Sequence, residues 1–169
     1  MPIKDFIFEL IDFYIRVTPN NQFFNKLRCN YFKKRLKFGS NPQTIGYLTE
    51  ISTPDHVFIG ESFIRPFVII SPEPSEIFIG NNCMVAPFVM IRAGEHDFSR
   101  TDIPIHQQGF VGRPIVIEDD CLISSHVTIT AGVRIGKGSI IGANSVVTKD
   151  IPPYSIAFGC PAEVYKCRL

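Results

Sequence analysis

A six-residue repeat between Ile117 and Ile151 constrains the fold more than any other feature of the sequence. Each unit begins with an aliphatic residue, and these first positions are Ile117, Ile123, Ile129, Ile135, Ile141 and Val147. A compact or β-branched side chain follows four positions later in every unit, at Cys121, Val127, Val133, Ser139, Ser145 and Ile151. A period of six is a multiple of the strand period and of no helical period, so the aliphatics share one face only if the chain is extended. The repeat therefore predicts a series of short β-strands.

A single hexapeptide cannot bury its own apolar side chains, so neighbouring units must stack and share one interior, as in other solenoids. The pattern resembles that of the hexapeptide-repeat acyltransferases. This resemblance implies a left-handed parallel β-helix shaped as a three-sided prism, with one hexapeptide per wall and the first-position aliphatic pointing inward. We expect this mainly β fold over residues 41–169. The repeat alone does not define chemistry, because the same prism can serve as a scaffold.

Composition limits the classes of partner. The chain has 17 basic and 16 acidic residues, and it lacks zinc-finger and RNP-like motifs, which argues against nucleic acid as a partner. Five dispersed cysteines without a CxxC motif predict reduced thiols and a cytoplasmic location. Acidic residues interrupt the apolar start, so we expect no secretory signal, and no run of 18 apolar residues occurs.

Residues 1–40 form a separate N-terminal segment in which apolar residues recur at helical spacing, predicting helices over 3–17 and about 22–36. The segment carries eight basic and three acidic residues. In one interpretation these amphipathic helices cap the open end of the prism. In the other they lie peripherally on the anionic inner face of a membrane.

The repeat also extends upstream, with interruptions. It begins at Ile45 and restarts at Ile59 and Ile79, and the offsets predict two-residue bulges near Pro54 and at residues 72–75. About fourteen walls follow, and Pro152–Pro153 are expected to end the last coil. A polar loop at about residues 92–114 suspends the repeat. A long loop that leaves a rigid solenoid is a usual position for a binding site.

From about residue 57 to 168 the chain resembles galactoside, maltose and related polysaccharide O-acetyltransferases, through VAPFVMIRAGEH, SSHVTITAGVRIGKGSIIGANSVVTKDIPP and GCPAEV. The resemblance implies acetyl-CoA as the acyl donor, no metal, and a homotrimer with active sites between subunits. It also implies that His96 is the catalytic base, and imidazole suits proton removal near neutral pH. Glu95 and Asp97 flank His96, and either could orient its ring.

The same resemblance assigns candidate substrate-binding residues. Family positions for coenzyme A fall on Ser125, Ala143, Thr148 and Lys149, and Lys166 is a further candidate for a phosphate contact. On the acceptor side, DIPIHQQGF resembles the PI-x-x-QG stretch of acetyltransferases associated with lipopolysaccharide, exopolysaccharide and capsule, which makes His106 and Gln107 candidates.

Two departures from the family pattern bear on the acceptor. Leu122 stands where many relatives have tryptophan, and Arg65–Pro66 stand where sugar-acetylating relatives have an asparagine that contacts the acceptor. We therefore expect a surface-polysaccharide sugar or its precursor as the acceptor. The alternatives are an antibiotic, a nucleotide amino sugar, or a trimeric scaffold without activity. A three-histidine zinc site is disfavoured because the close histidine pair that it needs is absent.

Overall fold

The computed structural model describes residues 3–168. Two helices precede a series of short strands. The elements are α1 (Ile3–Arg16), α2 (Gln22–Lys33), β1 (Thr44–Ile45), β2 (Glu50–Ile51), β3 (Val57–Ile59), β4 (Phe63–Ile64), β5 (Ile69–Ser71), β6 (Ile77–Ile79), β7 (Met84–Val85), β8 (Met90–Arg92), β9 (Gly94–His96), β10 (Phe110–Gly112), β11 (Ile115–Ile117), β12 (Leu122–Ile123), β13 (Thr128–Ile129), β14 (Arg134–Ile135), β15 (Ile140–Ile141), β16 (Val146–Val147), β17 (Ser155–Gly159) and β18 (Ala162–Cys167). Both predicted helices are confirmed.

Three parallel sheets form the walls of the prism, as predicted. The first wall has the order β1-β4-β7-β12-β15-β17, the second β2-β5-β8-β13-β16, and the third β3-β6-β11-β14. The first-position aliphatics of the repeat point inward, and Ile117, Ile123, Ile129, Ile135, Ile141 and Val147 are at most 1% exposed. Burial of this continuous aliphatic column is the main source of stability in such a fold.

The C-terminal end of the prism differs from the prediction that Pro152–Pro153 end the coil. Ile151 still bridges to Ile135 on the third wall, and β17 then adds to the first wall parallel to β15. β18 folds back antiparallel on β17. The two prolines therefore form a corner, which needs few backbone donors, and a further turn follows.

The pairing of stacked residues locates the loop. In the later coils Ile117 pairs with Ile135, and Ile123 pairs with Ile141, so three successive hexapeptides make one coil. Where the loop intervenes, Val85 pairs with Ile123, and the two partners are roughly twice as far apart in the sequence. The loop thus adds about one coil length of chain without shifting the register, and it leaves the prism between the second and third walls.

α2 closes the N-terminal end of the prism. Phe32 and Leu36 are buried in the same core as the repeat aliphatics. Arg28 is fully buried and donates hydrogen bonds to the carbonyl oxygens of Ile45 (2.7 Å) and Thr18 (2.9 Å). Arg28 is one of the eight basic residues of the N-terminal segment, and it supplies donors to backbone carbonyls at the edge of the first coil.

α1 is less covered than α2. Several of its large apolar side chains are exposed, namely Ile7, Leu10, Ile11, Phe13 and Tyr14. Arg16 at its end pairs with Asp12 and Glu50, which joins α1 to the first coil. In the part of the chain that the structure describes, no helix has the length and apolar character needed to cross a membrane.

Candidate active site

The loop begins as a short antiparallel hairpin in which β9 pairs with β10 and His96 lies opposite Phe110. A Cβ atom on Gly94 would lie 1.8 Å from the carbonyl oxygen of Glu73. Only glycine fits such a close approach of two backbones. Gly94 therefore allows the hairpin to lie directly on the turn at Glu73 and Pro74, and this contact sets where His96 emerges from the prism.

His96 is exposed on this hairpin, and its ring lies against the ring of Phe110, with centroids 4.1 Å apart and an angle of 35° between the planes. Among residues 3–168, neither ring nitrogen of His96 has a hydrogen-bond partner. The Phe110 ring therefore restricts the imidazole, while both nitrogens stay accessible to a substrate or to another subunit.

The acids beside His96 do not form hydrogen bonds to it within the described chain. The Asp97 carboxylate accepts a hydrogen bond from the backbone N–H of Ser99 at 2.9 Å, and this interaction lowers the pKa of Asp97. Glu95 lies opposite Val111 and lines a small cavity on the other side of the hairpin. Neither residue is placed to orient the imidazole in a single chain.

The body of the loop is held by Gln108, which the sequence analysis did not single out. Its side-chain oxygen accepts from the Arg100 N–H at 2.9 Å, and its amide nitrogen donates to the carbonyl oxygens of Arg100 (2.8 Å) and Ile103 (3.1 Å). Gln108 is the glutamine of the PI-x-x-QG stretch, so that motif was the available signal. The neighbouring candidates His106 and Gln107 lie exposed on a single 3₁₀ turn.

A cavity of about 410 Å³ opens beside the hairpin, and sequence reasoning did not predict it. Phe110, whose ring also contacts the His96 ring, forms part of its lining. The remaining lining residues are Ser52, Ser71, Glu73, Pro74 and Arg92. Ser52, Ser71 and Arg92 each follow an inward aliphatic on the second wall, so the repeat register contained the information that they stack at one edge.

The candidate coenzyme A residues fall on two different edges of the prism. Ser125 and Ala143 lie at stacked corners between the first and second walls, where the Asn144 N–H donates to the Ser125 carbonyl oxygen at 3.1 Å. Thr148 and Lys149 follow β16 and are exposed at the edge between the second and third walls, from which the loop also emerges. Lys166 is exposed on β18, opposite Ile156.

Leu122 lies on the outside of the first wall, between Met84 and Ile140 in the stacked register. Phe63 continues this column in the preceding coil, opposite Met84. In one chain Leu122 and His96 therefore belong to different walls, and Leu122 is part of a continuous apolar stripe on the surface.

The other histidines have contacts of their own. The ring of His126 stacks on Phe88 at 4.9 Å, and Nδ1 of His56 lies 3.1 Å from the Ser75 carbonyl oxygen. Over residues 3–168, no three His, Cys, Asp or Glu side chains are close enough together to hold a metal ion.

A parallel β-helix with six-residue walls and one extruded, histidine-bearing loop defines the class of hexapeptide-repeat proteins. The family model "Bacterial transferase hexapeptide (six repeats)" matches residues 114–149. The galactoside O-acetyltransferase of Escherichia coli (strain K12) is 35% identical over 116 residues, which is 66% of this chain and 54% of the relative. The chain thus spans about half the length of that curated relative.

Two solved structures extend the similarity over most of the chain. A maltose O-acetyltransferase from Clostridium difficile 630 superposes with a TM-score of 0.79 at 29% identity, covering 91% of this chain and 80% of that one. A hexapeptide-repeat acetyltransferase from Vibrio cholerae O1 biovar eltor, solved with acetyl coenzyme A, gives a TM-score of 0.78 at 26% identity, with 90% and 80% covered. This chain belongs to the hexapeptide-repeat acyltransferase family.

Proposed function

We propose that this protein transfers an acetyl group from acetyl-CoA to a hydroxyl group of a sugar, with His96 as the general base. The observation that carries this proposal is the position of His96 at the start of the extruded loop. Its ring is held against Phe110, its nitrogens have no partner among residues 3–168, and a cavity of about 410 Å³ lies next to the same phenylalanine.

The chemistry needs only one titrating group from the protein. A neutral His96 nitrogen takes the proton of the sugar hydroxyl while the hydroxyl oxygen attacks the thioester carbonyl carbon of acetyl-CoA. The carbon–oxygen bond forms, the carbon–sulfur bond breaks, and the proton passes from His96 to the departing coenzyme A thiolate. Acetyl ester and coenzyme A are the products, so His96 is regenerated in its neutral form.

The test is the rate of coenzyme A release from acetyl-CoA with an acceptor sugar, compared between the native protein and His96→Ala. We expect a loss of about 10²–10⁴-fold, the usual contribution of a general base. His56→Ala is the matched control, because His56 is a second histidine at the same edge of the prism, its Nδ1 lies 3.1 Å from the Ser75 carbonyl oxygen, and it has no part in the proposed proton transfer. If His96→Ala kept more than about a tenth of the activity while remaining folded, the role of His96 would be refuted.

Acetyl-CoA binding across two subunits would explain why the donor candidates fall on two edges. In one chain the second wall separates Ser125 and Ala143 from the edge that carries His96, Thr148 and Lys149. The apolar stripe of Phe63, Met84, Leu122 and Ile140, described above, offers a surface for a second subunit. We therefore place the donor groove between neighbouring prisms of a homotrimer, in which small side chains at Ser125 and Ala143 let the pantetheine arm approach and Lys149 meets a phosphate.

Mixed assemblies test this arrangement. Ala143→Trp would fill the groove on one edge, and His96→Ala would remove the base on the other, so each protein alone should be inactive. When the two chains are co-assembled, a base and an intact groove from different subunits meet in about a quarter of sites, and activity should return. A site built within one chain would show no such recovery, and light scattering that shows monomers would contradict the trimer directly.

We infer that the acceptor is a surface-polysaccharide sugar or its precursor. The loop stretch around Gln108 is typical of polysaccharide acetyltransferases, and Arg65–Pro66 and Leu122 depart from the galactoside and maltose pattern. His106 and Gln107 are exposed on this loop and are candidates for acceptor contacts. Mass spectrometry of the surface polysaccharide from cells with and without the gene would detect the acetyl group, and an unchanged polymer would contradict this assignment.

A cytoplasmic location with peripheral membrane contact would bring the enzyme to lipid-linked precursors. The exposed apolar residues Leu10, Ile11 and Tyr14 of α1 support it, whereas α2 is occupied with capping the first coil. Replacing Leu10 and Ile11 by glutamate should abolish co-flotation with anionic liposomes while leaving acetyl transfer to a soluble acceptor intact. If the native protein did not float, capping would be left as the sole function of this segment, and equal flotation of both proteins would show that Leu10 and Ile11 do not make the contact.

A further inference from the structure

The cavity beside His96 contains one strong cation whose hydrogen-bonding capacity is mostly unused. Arg92 follows the inward Ile91 on the second wall, and its Nε donates to the carbonyl oxygen of Gly94 at 3.1 Å. Within residues 3–168, no carboxylate pairs with its guanidinium, and its two terminal nitrogens have no partner. The bond to Gly94 fixes the direction of the guanidinium at the base of the hairpin that presents His96.

The residues around Arg92 supply neutral hydrogen-bonding groups. Ser71 is its direct neighbour in the stacked register, and the Ser52 hydroxyl lies 3.4 Å from the Ser71 hydroxyl. Both serines line the same cavity. A planar guanidinium with two free terminal nitrogens beside a row of hydroxyls matches an oxyanion with sugar hydroxyls attached to it.

Glu73 is the acid among the residues that line the cavity, and it does not neutralise Arg92. Its carboxylate accepts a hydrogen bond from the Thr53 hydroxyl, and the described chain contains no ion pair between Glu73 and Arg92. The positive charge therefore remains available to a ligand, while Glu73 can accept from a ring hydroxyl. Phe110 lines the cavity and also contacts the His96 ring, so it adds an apolar surface next to both.

We propose that Arg92 selects an acceptor sugar that carries an anionic group, in the first instance a carboxylate as in a uronic acid. This inference rests on the proposed function, because it assigns the acceptor of the same site. The carboxylate pairs with the terminal nitrogens of Arg92, and the sugar ring passes alongside Phe110 so that the hydroxyl to be acetylated reaches a nitrogen of His96. A sugar phosphate has the same chemistry at this position and is distinguished by experiment.

The experiment measures kcat and KM for acetyl transfer to three matched acceptors: methyl glucoside, methyl glucuronoside and glucose 6-phosphate. The native protein should prefer an anionic acceptor by at least about tenfold in kcat/KM. Arg92→Gln should lower kcat/KM for that acceptor by about 10- to 100-fold, mainly through KM, since hydrogen bonds to charged groups are worth this much. Its effect on the neutral glucoside should be less than about threefold. Arg92→Lys should recover part of the loss, because it restores the charge without the planar fork.

Arg134→Gln is the matched control, since Arg134 is an exposed arginine on the third wall that pairs with Glu118. It removes the same charge without touching the cavity, so it should not change the preference among acceptors. A native preference for the neutral glucoside would overturn the inference. So would equal losses on all three acceptors in Arg92→Gln, which would indicate a structural role or a role in stabilising the transition state.

Binding separates failure of this inference from failure of the proposed function. Saturation-transfer NMR on His96→Ala, without donor, reports whether the glucuronoside binds and whether the additional Arg92→Gln change abolishes binding. If no acceptor is acetylated but binding of the glucuronoside depends on Arg92, the proposed acetyl transfer fails and the anionic subsite stands. If the glucuronoside neither binds nor is acetylated, and the 6-phosphate behaves the same way, the inference is refuted.

Discussion

The repeat at residues 117–151 and the loop at residues 92–114 use sequence in opposite ways. In the repeat, inward aliphatics such as Ile123 and Ile129 are fully buried, and the register advances by three hexapeptides with every coil. In the loop, His96, Phe98, His106 and Phe110 are exposed, and beyond the short pairing of β9 with β10 the chain is held by hydrogen bonds from single side chains such as Gln108. The repeat therefore provides most of the stability of the fold. The loop positions exposed side chains on the rigid prism that the repeat forms.

This difference implies that variants in the two regions should affect different measurements. A buried repeat residue should change the free energy of unfolding, and activity should follow only through loss of folded protein. A loop residue should change activity or local protection, with a small effect on global unfolding. Each of the following changes tests one part of that separation.

Truncating Ile123 should give the largest effect on stability. Ile123 is fully buried and stacks between Val85 and Ile141. Ile123→Ala therefore leaves a cavity that the neighbouring residues of the rigid coil cannot move to fill. We expect a loss of about 2–5 kcal/mol in the free energy of unfolding, measured by denaturant titration. Ile123→Val is the control, with an expected cost of about 0.5–1.5 kcal/mol. A loss in Ile123→Ala no larger than in Ile123→Val would show that the stacked core adapts more than its register suggests.

Gly94 lies where the two regions join, and its replacement should separate activity from stability. In Gly94→Ala the new Cβ would meet the Glu73 carbonyl oxygen at 1.8 Å, so the hairpin must move off the prism and carry His96 with it. We expect activity to fall by more than about tenfold, since small displacements of the proposed base would be costly, with a loss of about 1–3 kcal/mol in unfolding free energy.

Gly109→Asn is the control for this change. A Cβ on Gly109 meets nothing within 4 Å, and asparagine tolerates its φ of +85° better than other side chains. This variant should keep most of the activity. Full activity in Gly94→Ala would mean that the position of His96 does not depend on the contact between the hairpin and the turn at Glu73.

The fold was predictable because its signal is repeated. Ile117, Ile123 and Ile129 each report the same inward position, so an error at one unit is corrected by the others, and the extruded loop is visible as a gap in the same pattern. Arg28 shows the opposite case. Its helical position resembles that of a solvated base, and only the three-dimensional end of the prism shows which carbonyls it satisfies.

The candidate site could be predicted from the sequence only at residues that lie in a recognisable local motif. His96 follows from the family pattern around RAGEH, whereas its contact with Phe110 needed the pairing of two strands at opposite ends of the loop. Predicting the cavity required the three-dimensional structure, because Ser52, Ser71 and Arg92 come from three successive coils and meet only through the stacking register. The repeat register implies that these three residues stack at one edge, but it does not distinguish them from the other residues that stack on the same wall.

Removing the Gln108 side chain should have the smallest effect, confined to the loop. Gln108→Ala loses two donated hydrogen bonds and the one accepted from the Arg100 N–H, all exposed or half-buried, so the local cost should be about 1 kcal/mol. Hydrogen exchange of the Arg100 amide should become about fivefold faster, while the amides of β13 and β15 stay protected. The neighbouring Gln107→Ala is the control, because within the described residues 3–168 the side-chain amide of Gln107 hydrogen-bonds His106 alone, at 3.4 Å. If both glutamine variants left the Arg100 amide unchanged, the loop would be held by the pairing of β9 with β10 alone; if both accelerated it equally, the bracing would not be specific to Gln108.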